Sequence, residues 1–259
     1  MREAHSFGVE AVVLRHSEYG EADRILTLFT RQRGKTRAIV RGVRRVTSRK
    51  AGHLEPFTHV KLQLAKGRDM PLITQAETVN AYLTLREDLV LTSQASYVVE
   101  LVDRFTYDEG SDNSGIFRLL TDTLARLASR AEPWMAIRYY EMRLLDLLGF
   151  RPKLFECAMC GREIQAEDQF FSFAGGGVVC PTSAKEEGLR RSERQELRAI
   201  SLEALRYLRH FQRSDYGNAA RADPAPQIKQ ETETLMQGFL THLLERELKT
   251  PGFLRQIRR

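Results

Sequence analysis

The sequence predicts an α+β multidomain protein: a small β domain first, then an α-helical bundle interrupted by a cysteine-bearing segment. Three observations carry that expectation. Apolar residues recur with a period of two up to about residue 80 and with a period near 3.6 beyond it. The helical period fails between residues 151 and 190, and all three cysteines fall in that gap. The excess of positive charge is confined to one short stretch of the β part. The expected divisions are 1–80, 81–150, 151–190 and 191–259.

Five strands account for the first division. Val9–Arg15 is nearly continuous in apolar residues, as a strand buried on both faces is. Arg24–Thr30 follows, and after the turn signal at Gly34 comes Lys35–Arg41. Val60–Ala65 alternates, with Val60, Leu62 and Leu64 on one face. Gly67 breaks the chain again before Pro71–Val79. Five short strands suit a β-barrel of the OB type, a fold that commonly holds single-stranded nucleic acid, and an SH3-type barrel fits the same pattern.

The third strand is where the charge lies. Between residues 31 and 50 stand Arg31, Arg33, Lys35, Arg37, Arg41, Arg44, Arg45, Arg49 and Lys50, with no Asp or Glu. That stretch is +9 in a chain whose formal net charge is +6, so everything else sums to −3. Side chains alternate along a strand, so Lys35, Arg37, Ile39 and Arg41 share one face, while Thr36, Ala38 and Val40 share the other and can meet a core. Beyond Gly42 the stretch reads as a flexible basic loop. Charge runs are usually solvated loops; here a cationic strand face adjoins the run, which suits a phosphate chain, and arginine outnumbers lysine, which suits planar two-point phosphate contacts. The expected nucleic-acid-binding residues are Lys35, Arg37, Arg41, Arg44, Arg45, Arg49 and Lys50. Tyr19, Phe29 and Phe57 are either barrel core, the commoner fate, or platforms on which bases stack.

Helical stripes follow. Tyr97, Leu101 and Phe105 make one, beside Val98 and Val102; Phe117, Leu120, Leu124 and Leu127 make a second. Ile137, Tyr140, Leu144 and Leu148 make a third, opened by Pro133 and closed by Gly149. After the cysteine segment, Leu202, Leu205, Leu208 and Phe211 form a fourth, and Leu235, Phe239 and Leu243, beside Met236, Leu240 and Leu244, a fifth. Ser214–Gln227 reads as a polar loop between them. These stripes are core faces.

Cys157 and Cys160 frame a two-residue knuckle of the kind that offers two thiolates to zinc, and Cys180 follows after Gly175, Gly176 and Gly177. A full zinc ribbon has a fourth ligand two residues further on, where this chain has Ser183. Neutral serine is a poor zinc ligand; Glu163, Asp168, Glu186 or water are the alternatives, each weaker than a thiolate. The expectation is therefore structural Zn2+ at Cys157, Cys160 and Cys180, or a ribbon-shaped remnant with reduced cysteines. A redox dithiol is less well supported, because no thioredoxin-like strand and helix frame the motif.

Several classes are excluded. The six histidines make no HExxH and no paired helix-turn spacing, and no acid, base and nucleophile stand together, so no enzyme is expected. Three clustered cysteines do not make a disulfide framework. No charged-then-apolar leader opens the chain, and no apolar run nears the roughly 20 residues that span a bilayer, so the expected location is cytoplasmic, with no membrane partner.

Taken together, these blocks resemble the RecO family of bacterial recombination mediators. VLRHSEYGEADRILTLFTRQRGKTRAIVRGVRR matches the family's opening, including Tyr19-Gly20-Glu21, Asp23-Arg24, Thr30, Gly34-Lys35 and Gly42. Ser48-Arg49 and Leu54–Phe57 come next, then Arg138–Pro152 leading into Cys157-x-x-Cys160-Gly161, then Phe171–Cys180. The blocks span most of residues 9–183; beyond them only the helical character matches. The resemblance implies an N-terminal OB-fold, a helical domain and an inserted zinc-binding segment. It implies binding of single- and double-stranded DNA, annealing of complementary strands, and a nucleoid-associated role with RecR and the single-stranded-DNA-binding protein SSB in loading the RecA recombinase, without catalytic residues. The zinc ligands carry over at Cys157, Cys160 and Cys180 and fail at Ser183. An RNA-binding barrel and a non-enzymatic interaction scaffold are the alternative functions.

Overall fold

Period-two patterning up to residue 80 becomes five antiparallel or parallel-paired strands in the computed structural model, which describes residues 6–106, 113–185, 196–245 and 250. These are β1 (Ser6–Tyr19), β2 (Asp23–Thr30), β3 (Gly34–Val40), β4 (His59–Ala65) and β5 (Leu72–Asn80). They close in the order β1-β2-β3-β5-β4. Closure depends on the length of β1: Ser6–Val12 pairs with β4, and Ala11–Tyr19 pairs with β2, with a bulge between Val13 and Arg15. One strand thus serves two neighbours, and its bulge supplies the bend. β3 meets β5 in parallel at Ile39 and Leu72.

The alternation expected for β3 holds where it meets the core. Ala38 and Val40 are fully buried among Val9, Ala11, Val13, Leu26, Leu28, Val60, Leu62 and Leu64. Truncating one of the larger of these, such as Leu26→Ala, costs roughly 2–5 kcal/mol. The opposite face of β1 and β2 is also buried, at Val12 and Phe29, which pair across the two strands. That explains the nearly continuous apolar run at Val9–Leu14, interrupted only by Glu10: helix packing covers the outer face.

The covering elements are α1 (Thr84–Glu87), α2 (Leu89–Phe105) and α3 (Ser114–Ala128). Asp88 caps α2, accepting from Val90 N and Leu91 N at 2.8 and 3.2 Å. α2 packs on β1 and on α3. The chain divides into two compact units, the first running from Met1 through Ala131 and the second over Glu132–Pro251. The division expected at 80/81 therefore falls inside the first unit, and the helices read as one bundle divide between the two.

The second unit opens with α4 (Pro133–Leu147). Pro133 sits in its first turn, and the Glu132 side chain caps Met135 N at 2.7 Å. Its end is the expected Gly149, in the left-handed region at φ 81°, with Phe150 N bonded to Leu145 O at 2.8 Å. α6 (Leu202–Arg213) and α8 (Pro226–Leu244) pack on α4 and on each other. Their expected stripes are buried at Leu205, Leu208, Phe211, Leu235, Phe239 and Leu240. Between them, the segment read as a plain loop contains a helical turn, α7 (Tyr216–Ala219), capped by Asp215.

A three-stranded sheet completes this unit, in the order β7 (Gly177–Val179), β6 (Gln169–Ser172), β8 (Leu197–Ile200), with α5 (Pro181–Lys185) after β7. β8 lies beyond the expected insertion at 151–190, so that segment draws one strand from the chain that follows it. Among the described residues no helix is long and apolar enough to cross a membrane.

Candidate nucleic-acid interface and cysteine corner

Three separate segments converge at one end of the first unit. Ile39 N donates to Pro71 O at 2.8 Å, which sets the start of β5 beside the end of β3. Gly42 N donates to Asp23 Oδ1 at 2.7 Å, and Arg44 N to Ala22 O at 3.0 Å, so the basic loop is tied to the β1–β2 turn. The β4–β5 loop stays tight because Gly67 faces the Met70 carbonyl with no room for a Cβ. Together they enclose a cleft of about 780 Å³, lined by Tyr19, Asp23, Arg41, Arg45, Lys66, Arg68 and Asp69 among others.

Four of those side chains are cations. Arg41, Arg45, Lys66 and Arg68 make no ion pair among the described residues. The two acids are fewer, and Asp23 already accepts the Gly42 amide. Tyr19 lines the same cleft with half of its surface exposed. Phe29 and Phe57 are buried and belong to the packed interior. Of the three aromatics, only Tyr19 is available to a ligand.

The seven expected basic residues therefore differ in what they do. Arg41 and Arg45 face the cleft; Arg37 and Arg49 are exposed and make no ion pair among the described residues. Arg44 lies 3.2 Å from Glu18 in a surface pair. Lys50 donates to Ile73 O at 3.4 Å. Lys35 points elsewhere: its Nζ donates to the Asp103 carbonyl at 2.7 Å, lies 3.5 Å from Asp103 Oδ1, and is only 19% exposed. It fastens β3 to α2, and the same aspartate takes Arg15 at 3.2 Å. Lys66 and Arg68 were missed from sequence because they lie outside the dense basic run. The signal for them was a glycine between two cations, in a loop that this strand order places beside the end of β3.

The second assembly lies in the second unit. The Sγ atoms of Cys157, Cys160 and Cys180 lie within 4.8 Å of one another, and Cys160 Sγ is 3.8 Å from Cys180 Sγ. Cys157 is buried and Cys160 exposed. The buried Ser183 brings its hydroxyl to 3.4 Å from Cys180 Sγ and 3.8 Å from Cys157 Sγ, in the fourth corner. Backbone amides point at the sulfurs: Cys180 N donates to Cys157 Sγ and Ser183 N to Cys180 Sγ, both at 3.4 Å.

This arrangement favours thiolates. Hydrogen bonds from Ser183 and Arg162 pull the Cys160 thiol down to about 6. Burial pushes the Cys157 thiol up, but amide bonds from Cys160, Cys180 and Met159 outweigh it, and the net shift is downward. The edge of a zinc–tetrathiolate tetrahedron with bonds of about 2.3 Å is about 3.8 Å, so the donor set fits a metal of that size. Neither Glu163 nor Asp168 joins the thiols: Asp168 instead accepts from Leu202 N at 2.9 Å, at the start of α6. Glu186 lies outside the described residues. The glycine run that permits the turn does so at Gly177, where a Cβ would come within 2.5 Å of the Lys153 carbonyl oxygen.

Comparison with known proteins agrees with this geometry. Residues 1–82 match the family described as Recombination protein O N terminal, and residues 86–251 match Recombination protein O C terminal. The chain is 37% identical over 252 residues to a DNA repair protein RecO of Roseiflexus sp. strain RS-1, covering 97% of this chain and 86% of the relative. It is 33% identical to that of Dehalococcoides mccartyi strain 195, covering 96% of this chain and 95% of the relative. The figure for Bifidobacterium adolescentis is 34%, over 95% of this chain and 97% of the relative.

Proposed function

The chain belongs to the RecO family of DNA repair proteins, and on that premise we propose that it binds single-stranded DNA in the barrel cleft and anneals complementary strands. The observation that carries this is the joint lining of one cleft by Arg41, Arg45, Lys66 and Arg68 around an exposed Tyr19. Four guanidinium or ammonium groups without carboxylate partners among the described residues repel each other until a phosphate chain neutralises them. One flat ring among them offers a surface for a base of any identity. Such a site holds a strand by its backbone and leaves sequence unread, as annealing requires. Screening two strands in one basic region also lowers their mutual repulsion.

The strand order β1-β2-β3-β5-β4 supports assignment of the barrel to the OB type, whose ligand face lies at strands 2 and 3 and at the loops that form this cleft. Duplex binding falls to the same open arginines, with Arg37 and Arg49 beside them. The residues that line the cleft are cations, acids, a tyrosine and apolar groups with no nucleophile and base paired among them, which supports the reading of a non-enzymatic mediator. The family resemblance extends it to RecR and SSB as partners, to assisted loading of RecA, and to a nucleoid-associated place in the cytoplasm.

Zinc would be held by the thiolates of Cys157, Cys160 and Cys180, with the Ser183 hydroxyl in the fourth corner. Bound there, it supplies a structural clip that fastens the knuckle to the start of α5.

Salt titration of a labelled oligodeoxythymidine tests the cleft. With four phosphates engaged, the log–log slope is about −3. Arg41→Glu with Arg45→Glu removes two contacts and adds two repulsions; affinity then falls about a hundredfold or more and the slope flattens by about 1.4. Unchanged affinity in that double variant overturns the reading. A matched RNA oligomer in the same titration separates DNA preference from general strand binding.

A further inference from the structure

A second basic surface lies in the other unit, on α6. Arg206, Arg209 and Arg213 stand at i, i+3 and i+7, which places them on one helix face. The helix carries one acid, Glu203, in its first turn. None of the three arginines makes an ion pair among the described residues. Arg209 and Arg213 both lie over the ring of Phe155, with their Cζ atoms 5.0 and 3.6 Å from its centroid. Arg209 Nε is engaged by the Leu154 carbonyl at 2.8 Å.

Stacking uses the flat face of a guanidinium and leaves its edge donors to bind something else. The ring therefore fixes Arg213 without satisfying it, and Arg206 stands exposed about two turns away. Two like charges held over one ring repel: burial and then the charge of Arg213 lower the Arg209 guanidinium, offset in part by Glu163. Glu163 is the acid that reaches this group; Asp215, next along the chain, caps Asn218 N. The three cations span about 10.5 Å along the helix axis at roughly 1.5 Å per residue. That reach is long enough to meet more than one phosphate of a strand. Phe155 is half-buried under the arginines, so the surface meets backbone and not bases.

We infer that Arg206, Arg209 and Arg213 on α6, fixed over Phe155, form a second phosphate-binding surface that takes a second DNA strand. The inference rests on the proposed annealing role. The barrel cleft holds one strand by phosphates and a stacked base; α6 holds another by phosphates alone. Each unit of the chain then carries one strand site.

The test counts strands on the full chain. Oligodeoxythymidine of about ten nucleotides, within the length one small barrel covers, is titrated at low salt and read by native mass spectrometry. The wild type takes two oligomers. Arg206→Glu with Arg213→Glu takes one, and Arg206→Lys with Arg213→Lys recovers the second at low salt. Arg41→Glu with Arg45→Glu also takes one, so failure of the cleft reading shows up in that variant alone. Arg206→Glu by itself, on an exposed position, flattens the salt slope of the second event by about 0.7 and guards against misfolding of the double variant. A wild type that takes a single oligomer, or an Arg206/Arg213 double variant that still takes two, overturns the inference. So does an α6 surface that binds deca-glutamate in preference to the oligomer, which would make it a site for an acidic peptide.

Discussion

The barrel cleft and the cysteine corner are both small clusters of functional side chains, and they are built on opposite principles. The cleft gathers Tyr19, Arg41, Arg45, Lys66 and Arg68 from three segments and leaves them exposed, its four cations without an ion pair among the described residues. The corner draws Cys157, Cys160, Cys180 and Ser183 into contact and aims backbone amides at the sulfurs. A ligand that is long, flexible and charged at every step needs only an open field, and each cation contributes a share. A ligand that is a point needs donors within tenths of an ångström, and one wrong donor changes the whole site. The cleft should therefore degrade by increments when mutated, and the corner should respond steeply.

The sharpest test of that contrast is at Ser183. Ser183→Cys places a fourth sulfur where the hydroxyl now lies, 3.4 Å from Cys180 Sγ. Zinc affinity, measured by competition with a chromophoric chelator, should rise by more than the roughly 10–100-fold that second-layer changes around metal sites produce. Cys160→Ala in the wild-type background should abolish stoichiometric zinc while leaving oligomer binding at the cleft within about twofold, since Cys160 belongs to the other unit and is not among the residues that line the cleft, and surface substitutions outside a site seldom exceed ±0.5 kcal/mol. Equal zinc affinity in wild type and Ser183→Cys would mean that the fourth corner is not part of the site.

Next in size is the backbone that shapes the corner. Gly177→Ala forces a methyl toward the Lys153 carbonyl and amide, which are backbone and cannot swing aside. Overpacking of this kind costs about 1–3 kcal/mol, visible as a lower midpoint in urea. Gly176 is different: it sits at φ 65° with open space around it, so Gly176→Asn, which tolerates that conformation, should cost less than Gly177→Ala.

Tyr19 comes third. Tyr19→Ala should weaken single-strand binding by about 1–3 kcal/mol, the range for loss of one stacked base, with no change in the salt slope because no charge is lost. Tyr19→Phe keeps the ring and should bind as the wild type does. A changed slope in Tyr19→Ala would show that the ring orders the arginines instead of holding a base.

How much of this was legible in the sequence depended on how local the cause was. Strand alternation places Ala38 and Val40 in the core because both facts lie within one strand, and Pro133 and Gly149 bracket their helix because caps are local chemistry. The knuckle at Cys157 and Cys160 is local in the same way. β8 was not legible: Leu197–Ile200 is four residues long, without turn punctuation, and gains strand character only by pairing with β6. Lys66 and Arg68 were missed because charge counting rewards density along the chain, whereas the cleft assembles by strand order. Lys35 read as open for the converse reason: the residue that engages it, Asp103, is 68 positions away.

The smallest predicted effect divides two paired cations that look alike in sequence. Arg44 meets Glu18 at 3.2 Å, and Glu18 is 70% exposed. Exposed pairs of this kind are worth about 0–1 kcal/mol, so a phosphate can replace the carboxylate. Glu18→Gln should raise oligomer affinity by less than about fivefold, the equivalent of that 1 kcal/mol, and steepen the salt slope by about 0.7 as Arg44 joins the strand. Lys35 is held by a main-chain carbonyl as well as by the Asp103 carboxylate. Asp103→Asn leaves that carbonyl in place, so Lys35 stays fastened to α2 and oligomer affinity stays put. If Asp103→Asn strengthened binding as Glu18→Gln does, the division of the basic segment into anchoring and ligand-facing residues would fail, and with it the claim that burial and a backbone acceptor decide which cation is free for DNA.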